Sequence, residues 1–332
     1  MKLLLTKLFE NQQLDRQEAC AVLQGIGQDK YNAAQIAALI SVYIMRGINI
    51  EEFLGFRDAL YQLGTDLTAL NAYKPLDIVG TGGDGKNTFN ISTLSCFVVA
   101  AAGYKVAKHG NYGASSVSGS STVMEQHGVK FTNNIGELER SLDKANLCFL
   151  HAPMFNDALK VVAPIRRELG VRTFFNMLGP LVNPIRNQHV LLGVFNLKML
   201  RMYQYIYQNT NIDFSIVHSI DGYDEISLTD SFKVVTKLGE QLCTPNQLGF
   251  EQLNQTSIYG GETVEQAAAI FSDVIHNRAT SAQKNVVIAN AGFAIQLVDK
   301  QKTIEECIGL ARETIESGKL KETYRLFLEL NS

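Results

Sequence analysis

Apolar residues recur at helical spacing through roughly the first 65 residues, as at Ile36, Leu39, Ile40 and Tyr43. In three places a capping residue stands three positions before a carboxylate or amide side chain, which is the pattern of a capping box at the start of a helix. The pairs are Asp15 with Glu18, Asn32 with Gln35, and Asn49 with Glu52. This part of the chain is therefore predicted to form a small all-α module of consecutive short helices.

The pattern changes near Pro75, where short apolar runs begin to alternate with helical segments. Leu76 to Val79 is predicted to be a strand, Ser92 to Ala102 a helix that ends at Gly103, and Tyr104 to Ala107 a second strand. Further predicted strands are 147–150, 190–194 and 214–217, and the helices between them include 197–207 and 263–277. Alternating strands and helices predict an α/β domain whose mainly parallel sheet is covered by helices.

The segment 158–180 is predicted to be helical again, with Pro164 near its start. We expect it to rejoin the N-terminal module, which would then be discontinuous in sequence. The predicted domains are a small helical domain of residues 1–70 joined by 158–185, and a large α/β domain of residues 71–157 and 186–332. A cleft between two such domains is a common place for a ligand.

Composition narrows the classes of function. The 332 residues are 46% hydrophobic and 19% charged, with a net charge of −3, so we expect a globular protein rather than a binder of nucleic acid or membrane surfaces. The N-terminal MKLLLTKLFENQQ lacks the features of a signal peptide, and the apolar runs are too short to span a membrane. The five cysteines are widely separated and form no CxxC, which indicates free thiols in a reducing cytoplasm. The spacing of the six histidines does not indicate a zinc site.

A glycine-rich loop, DIVGTGGDGKNTFNIST, runs from Asp77 to Thr93. Glycines after a strand allow backbone N–H groups to approach phosphate oxygens, and a helix that starts near Ser92 also favours an anion. The same residues would equally suit an ordinary turn capped by Ser92 or Thr93. Because Lys86 is followed by Asn87, the loop is not a Walker motif, and the acidic residue of a dinucleotide-binding fold is missing at the expected spacing.

A second polar cluster, KHGNYGASSVSGSS, runs from Lys108 to Ser121. It follows the next predicted strand, so in a parallel sheet it emerges at the same carboxyl edge as the first loop. One lysine, serine hydroxyls and backbone donors could clamp a polyanion there. The alternative is a serine-rich surface loop.

Two further groups contain charged residues. In DGYDEIS, Asp221 to Ser227, the adjacent Asp224 and Glu225 offer hard oxygen ligands for Mg²⁺, although such a pair can equally be solvated surface. In APIRRELG, Arg166 and Arg167 are either surface cations or a means of holding a carboxylate. About 100° of helical rotation separates neighbouring residues, so only one of the two would face a ligand squarely.

Taken together, these residues resemble the anthranilate phosphoribosyltransferase family along essentially the whole chain. The motifs that carry the resemblance are Gly80–Gly85, Asn90–Thr93, Lys108–Asn111 with Ser115–Ser116 and Ser118–Ser120, Ile165–Pro184, and Asp221–Ser227. The resemblance implies a helical domain plus an α/β domain and a homodimer formed through the helical domains. It also implies transfer of the phosphoribosyl group of 5-phosphoribosyl 1-diphosphate to anthranilate, with Mg²⁺ as cofactor.

The resemblance also implies roles for individual residues. The chemistry of the reaction adds two roles: Lys108 would stabilise the leaving diphosphate, and His109 is the candidate proton acceptor although no general base is assigned. Mg²⁺ would be held by Ser92, Asp224 and Glu225, and anthranilate would contact Gly80, Asn111 and Arg166. The residues expected around phosphoribosyl diphosphate are Gly80, Gly83, Asp84, Thr88, Asn90, Ile91, Ser92, Thr93, Lys108, His109, Gly110, Asn111, Tyr112, Gly113, Ala114, Ser115, Ser116 and Ser120.

The chain departs from the family pattern at a few positions. Tyr112 stands where the family usually has Arg, and His151 replaces a common Phe. Phe155, Asn156 and Asp157 stand where the family often has His or Tyr followed by another His and a Pro. The alternatives to a phosphoribosyltransferase are a pyrimidine nucleoside phosphorylase, which needs only one phosphate, and a non-catalytic member that binds nucleic acid.

Overall fold

A computed structural model describes residues 1–113 and 118–332. Two compact units are formed, one by residues 1–68 and 152–186 and the other by residues 69–151 and 187–332. The helices are α1 (Lys2–Phe9), α2 (Arg16–Gly27), α3 (Ala33–Arg46), α4 (Ile50–Leu63), α5 (Ile91–Ala101), α6 (Ser120–Gln126), α7 (Ile135–Ala145), α8 (Asp157–Leu169), α9 (Phe175–Leu178), α10 (Leu197–Gln208), α11 (Val264–Ile275), α12 (Ser281–Val298), α13 (Ile304–Glu316) and α14 (Lys319–Asn331). The strands are β1 (Leu76–Gly80), β2 (Val106–Gly110), β3 (Leu147–His151), β4 (His189–Gly193), β5 (Asp213–Ser219), β6 (Phe232–Thr236) and β7 (Gly239–Cys243).

The first unit is all-helical, and the three predicted capping boxes are confirmed. Asp15, Asn32 and Asn49 are the N-cap residues of α2, α3 and α4, and each box has both of its hydrogen bonds. These bonds satisfy backbone donors that a helix start would otherwise leave unpaired. The helices bury an aromatic cluster in which the rings of Tyr43 and Phe174 pack against Phe56, with centroids 5.4 Å and 4.8 Å from it.

The prediction of helix across 158–180 is correct only in part. α8 ends at Leu169 because Gly170 adopts a left-handed conformation with φ of 64°, and the short α9 follows from Phe175. Pro164 lies inside α8 rather than near its start. Proline lacks an amide hydrogen, so at this position α8 has one backbone hydrogen bond fewer.

The second unit contains a seven-stranded sheet in the order β3-β2-β1-β4-β5-β6-β7. The first five strands are parallel, which confirms the predicted fold class, whereas β6 and β7 run antiparallel at one edge. The sequence pattern missed this hairpin because β7 is an edge strand whose residues are mostly exposed and form no apolar run.

Buried helices position the parallel strands. Nine residues of α5 are buried, from Ile91 to Ala100, and α12 is buried along most of its length. Strands β1, β2 and β4 are parallel, so the loops that follow them all leave the sheet at its carboxyl edge. Each strand ends in a glycine, at Gly80, Gly110 and Gly193. In the part of the chain that the structure describes, no helix combines the length and the apolar character needed to cross a membrane.

Candidate active site

The glycine-rich loop after β1 lies against the acidic pair after β5. A side chain at Gly80 would collide with the Asp224 carboxylate, because a Cβ built there lies 2.5 Å from Asp224 Oδ2. Gly82 has a φ of 65°, and its backbone N–H donates to the same oxygen at 2.6 Å. Glycine adopts this conformation without strain. The loop glycines therefore let the backbone approach the carboxylate closely.

Glu225 contacts the start of α5. The backbone N–H of Ser92 donates to Glu225 Oε1 at 3.1 Å, close to the helix end that carries partial positive charge. Glu225 Oε2 is buried, and within residues 1–113 and 118–332 it has no hydrogen-bond partner. Buried carboxylate oxygens are ordinarily hydrogen-bonded or bound to a cation, so this atom is an available ligand.

The folded protein disfavours the charged forms of the Asp224 and Glu225 carboxyl groups. Burial raises the pKa of Asp224 to about 7, and the neighbouring Asp84 acts in the same direction. Burial also raises the pKa of Glu225 well above its usual value, and the charge of Asp224 adds to this effect while Lys108 opposes it. A cation bound between the carboxylates would remove this penalty.

The donor set suits Mg²⁺ better than a metal that needs a full cage of protein ligands. Among the described residues there is no group of three or more His, Cys, Asp and Glu side chains arranged to hold a metal. Mg²⁺ commonly binds one or two carboxylates and completes its shell with water and phosphate oxygens. The two carboxyl groups therefore fit this ion, together with the buried Glu225 Oε2, which has no hydrogen-bond partner among the described residues.

Lys108 is a buried cation beside the first loop, with only 3% of its surface exposed. Its Nζ donates to the backbone oxygen of Ile78 at 2.6 Å and to Ser92 Oγ at 3.2 Å. An ammonium has three donors, so these two bonds leave one for a ligand as far as the described residues are concerned. The neighbouring His109 is also buried, and its backbone N–H donates to Asp77 Oδ1 at 3.4 Å.

Hydrogen bonds tie the second loop to the first. Asn90 Nδ2 donates to the backbone oxygen of Ser118, and Ser118 Oγ donates to the backbone oxygen of Thr88 at 2.8 Å. Within the second loop, Ser120 Oγ accepts from the backbone N–H of Asn111 at 3.2 Å. The two loops thus form one polar surface at the carboxyl edge of the sheet.

Most residues that were predicted to surround phosphoribosyl diphosphate lie at the carboxyl ends of β1 and β2 or in the segments that follow these strands. Those described are Gly80, Gly83, Asp84, Thr88, Asn90, Ile91, Ser92, Thr93, Lys108, His109, Gly110, Asn111, Tyr112, Gly113 and Ser120. The predicted residues Ala114, Ser115 and Ser116 lie outside the described residues.

Two positions that depart from the family pattern, Tyr112 and His151, contact each other. Their rings are 4.8 Å apart, and the Tyr112 hydroxyl donates to Glu125 Oε1 at 2.6 Å. His151 also stacks on Phe131 at 4.4 Å, and its Nδ1 forms a hydrogen bond of 2.8 Å with Ser121 Oγ. Burial lowers the pKa of His151. Through these contacts Tyr112, in the second loop, packs against His151 at the end of β3.

Arg166 lies in the helical unit, on α8. One of its guanidinium nitrogens donates to Asn176 Oδ1 at 3.1 Å, and the group lies 5.6 Å from the centre of the Phe175 ring. Burial lowers the pKa of Arg166, whereas Arg167 is exposed.

Asn156, another departure from the family pattern, donates to the backbone oxygen of Leu60 at 2.8 Å.

Asn290 on α12 contacts the segment that carries the acidic pair, and the sequence reasoning missed this contact. It is 3% exposed and forms hydrogen bonds with the backbone of Ile226, directly after the acidic pair. The signal was present in the sequence, because Asn290 is an isolated polar residue within the apolar run VVIANAGFAI of a buried helix.

Comparison with protein-family models finds two matches. Residues 2–64 match the helical bundle domain of a glycosyl transferase family, and residues 72–321 match the a/b domain of that family. Together these matches cover most of both units, so the chain has the two domain types of one enzyme family.

Individual relatives narrow the family further. Anthranilate phosphoribosyltransferase from Bacteroides fragilis is 60% identical over 331 residues, which covers 100% of both chains. The crystal structure of anthranilate phosphoribosyltransferase from Thermus thermophilus is 31% identical, with a TM-score of 0.90 over 98% of each chain. The enzyme from Saccharomyces cerevisiae in complex with PRPP and Mg shares the fold at 24% identity, with a TM-score of 0.86 over 98% of this chain and 96% of that one. The chain therefore belongs to the glycosyl transferase family and, within it, to the anthranilate phosphoribosyltransferases.

Proposed function

We propose that this enzyme transfers the phosphoribosyl group of 5-phosphoribosyl 1-diphosphate to the amine of anthranilate, with release of diphosphate, as a step of tryptophan biosynthesis. One observation carries the proposal: the Asp224–Glu225 pair is hydrogen-bonded to the glycine-rich loop and to the start of α5, and Lys108 contacts Ser92 at that helix start. This arrangement suits a metal-bound diphosphate. The names of the full-length relatives support anthranilate as the acceptor.

The proposed metal ligands are Ser92, Asp224 and Glu225. When bound there, Mg²⁺ would supply positive charge to the diphosphate as it leaves. The residues of the chain add to this stabilisation, because Lys108 contributes a fixed cation and the loop backbone contributes N–H donors. Departure of diphosphate leaves an oxocarbenium-like ribose, so holding the leaving group is the main task of these residues. His109 remains the candidate proton acceptor.

The acceptor needs placement more than activation. The amine of anthranilate is neutral, and the carboxylate ortho to it can be held by a guanidinium while the amine stays free to attack. Arg166 is the proposed partner of this carboxylate. Its partial burial supports the assignment, because an ion pair is stronger where water is partly excluded.

A fluorescence assay tests the function. Purified enzyme, anthranilate, phosphoribosyl diphosphate and Mg²⁺ are mixed, and the loss of anthranilate fluorescence is followed. Anthranilate should be consumed only when all components are present. Cleavage of a pyrimidine nucleoside by inorganic phosphate, with no consumption of anthranilate, would instead identify a nucleoside phosphorylase.

The Arg166→Ala variant tests the acceptor site. We expect the KM for anthranilate to rise about tenfold or more, equivalent to about 1.4 kcal/mol, with little change in the KM for phosphoribosyl diphosphate. Arg167→Ala is the matched control, since it removes an exposed guanidinium from the neighbouring position. If Arg167→Ala raises the KM for anthranilate more than Arg166→Ala does, Arg167 holds the carboxylate. If neither variant changes this KM, neither arginine holds it.

We also propose that the enzyme is a homodimer formed through its helical unit. Leu3, Phe9 and Met45 are 87%, 65% and 87% exposed on α1 and α3, and Phe9 and Met45 line the same surface pocket. Sedimentation should give about twice the chain mass of 36.7 kDa, and Met45→Glu should shift it towards the monomer. A monomeric wild-type protein at micromolar concentration would contradict this.

We propose that each of the two compact units is a domain. We also propose that the enzyme is located in the cytoplasm. Each unit has its own buried core, as expected of a domain. All five cysteines are free thiols, which supports a reducing compartment. Cell fractionation checks the location.

A further inference from the structure

Asn290 pairs with both backbone polar groups of the residue that follows the acidic pair. Its Oδ1 accepts from the backbone N–H of Ile226 at 3.1 Å, and its Nδ2 donates to the backbone oxygen of Ile226 at 2.8 Å. The same Nδ2 donates to the backbone oxygen of Val286, within α12, at 2.9 Å. Both N–H donors of the amide and one lone pair of its oxygen are used, and the side chain joins a long buried helix to the loop that carries Asp224 and Glu225.

Ser219, the last residue of β5, holds the same stretch from another side. Its Oγ donates to the backbone oxygen of Glu225 at 2.7 Å and accepts from the backbone N–H of Ser227 at 3.2 Å. Ser219 and Ser227 are completely buried. The backbone from Glu225 to Ser227 is therefore fixed by side chains from a strand and a helix of the core.

These anchors matter most when no cation is bound, because they oppose movement of the two carboxylates into water. When ionised, Asp224 and Glu225 carry like charges on adjacent residues, and Glu225 has an oxygen that is buried and unpartnered among the described residues. Repulsion and the cost of desolvation both favour turning these carboxylates out into water. A loop without anchors would do so, and the ligands would then have to be gathered again each time a cation bound.

We propose that Asn290 is a positioning residue for the Mg²⁺ site: by clamping Ile226 it keeps the carboxylates of Asp224 and Glu225 in place before the ion binds. The inference rests on the proposed function, because it takes the acidic pair as the metal site. It goes further in assigning part of the affinity for the metal to a side chain that touches neither metal nor substrate. Partners beyond the first ligands of a metal commonly influence affinity in this way.

The test is a titration of the enzyme with Mn²⁺, followed by electron paramagnetic resonance of the free ion, with and without phosphoribosyl diphosphate. Asn290→Ala should raise the dissociation constant for Mn²⁺ about tenfold in the presence of phosphoribosyl diphosphate. Asn285→Ala is the matched control. Asn285 lies on the same helix, but its side-chain oxygen accepts a hydrogen bond from Arg312 and not from the loop that carries the acidic pair. Its loss should leave the Mn²⁺ affinity unchanged.

A second readout separates positioning from general damage. If Asn290 acts through the metal, saturating Mg²⁺ should restore both kcat and the KM for phosphoribosyl diphosphate in Asn290→Ala to wild-type values. A defect that persists at saturating Mg²⁺ would overturn the inference, and so would an unchanged Mn²⁺ affinity in the folded variant. If Asn290→Ala does not fold, the Ser219→Ala variant provides the test. Ser219 holds the same stretch of backbone, so its loss should raise the dissociation constant for Mn²⁺ in the same way, and an unchanged constant would overturn the inference. Absence of Mn²⁺ binding in the wild type would instead refute the proposed metal site.

Discussion

Replacement of Asp224 by Asn together with Glu225 by Gln is expected to raise the Mg²⁺ concentration for half-maximal activity about a hundredfold. Neutral amides are poor ligands for a hard cation. They can still accept the hydrogen bonds from the backbone of Gly82 and Ser92 that hold the present carboxylates. The loop should therefore keep its conformation while losing its charge. The measurement is the rate of anthranilate consumption over a range of Mg²⁺ concentrations.

The same double variant should not be less stable than the wild type when Mg²⁺ is absent. Burial raises the pKa of both carboxyl groups, which means that their charged forms are unfavourable in the folded protein. Neutral amides remove this cost. Thermal unfolding in the presence of a chelator should give a Tm at least equal to that of the wild type. A lower Tm would indicate that the pair stabilises the fold.

The control for this pair is Glu251→Gln, which neutralises an exposed carboxylate elsewhere in the same unit. It should change neither the Mg²⁺ dependence nor the Tm. If the double variant saturates at the same Mg²⁺ concentration as the wild type, Asp224 and Glu225 are not the metal ligands. The proposed site would then be withdrawn.

Those features of the fold that rest on local chemistry were predictable from the sequence. The capping boxes at Asp15, Asn32 and Asn49 depend on residues three positions apart, and all three are present in the structure. The first parallel strands were predictable because strands buried on both faces form short apolar runs. The edge strand β7 lacks such a run and was missed.

The chemistry of the site was less predictable, because it depends on contacts between residues far apart in sequence. Asp224 was expected as a metal ligand, but its contact with the Gly82 backbone spans 142 positions. Lys108 was expected to face a diphosphate, yet two of its donors are used by Ile78 and Ser92. The acceptor of the first bond is the backbone oxygen of Ile78. Every residue has such an oxygen, so side-chain identity carries no signal for the bond.

Lys108→Ala is expected to lower kcat/KM for phosphoribosyl diphosphate about a hundredfold, equivalent to about 2.7 kcal/mol of transition-state stabilisation. The variant loses a fixed cation beside the leaving diphosphate. It also removes the ammonium donor to the backbone oxygen of Ile78 and leaves the weak Cys96 thiol donor at 3.9 Å, so the free energy of unfolding should fall by about 1–3 kcal/mol. Steady-state rates corrected for the folded fraction at the assay temperature separate these two effects.

Lys105 provides a matched control for the structural part of this loss. It lies just before β2, whereas Lys108 lies within that strand, and its Nζ also donates to backbone oxygens, those of Leu142 and Asp143 at 2.9 Å and 3.0 Å. Lys105 is only partly buried, so water can replace its donor, and Lys105→Ala should lower stability by less than Lys108→Ala while kcat/KM stays near the wild-type value. If the two variants lose activity equally, Lys108 acts only through the fold. If Lys108→Ala keeps full activity, the cation that faces the diphosphate is another residue. A specific loss in Lys108→Ala is what a buried ammonium should produce when it organises Ser92 and neutralises the leaving group at once.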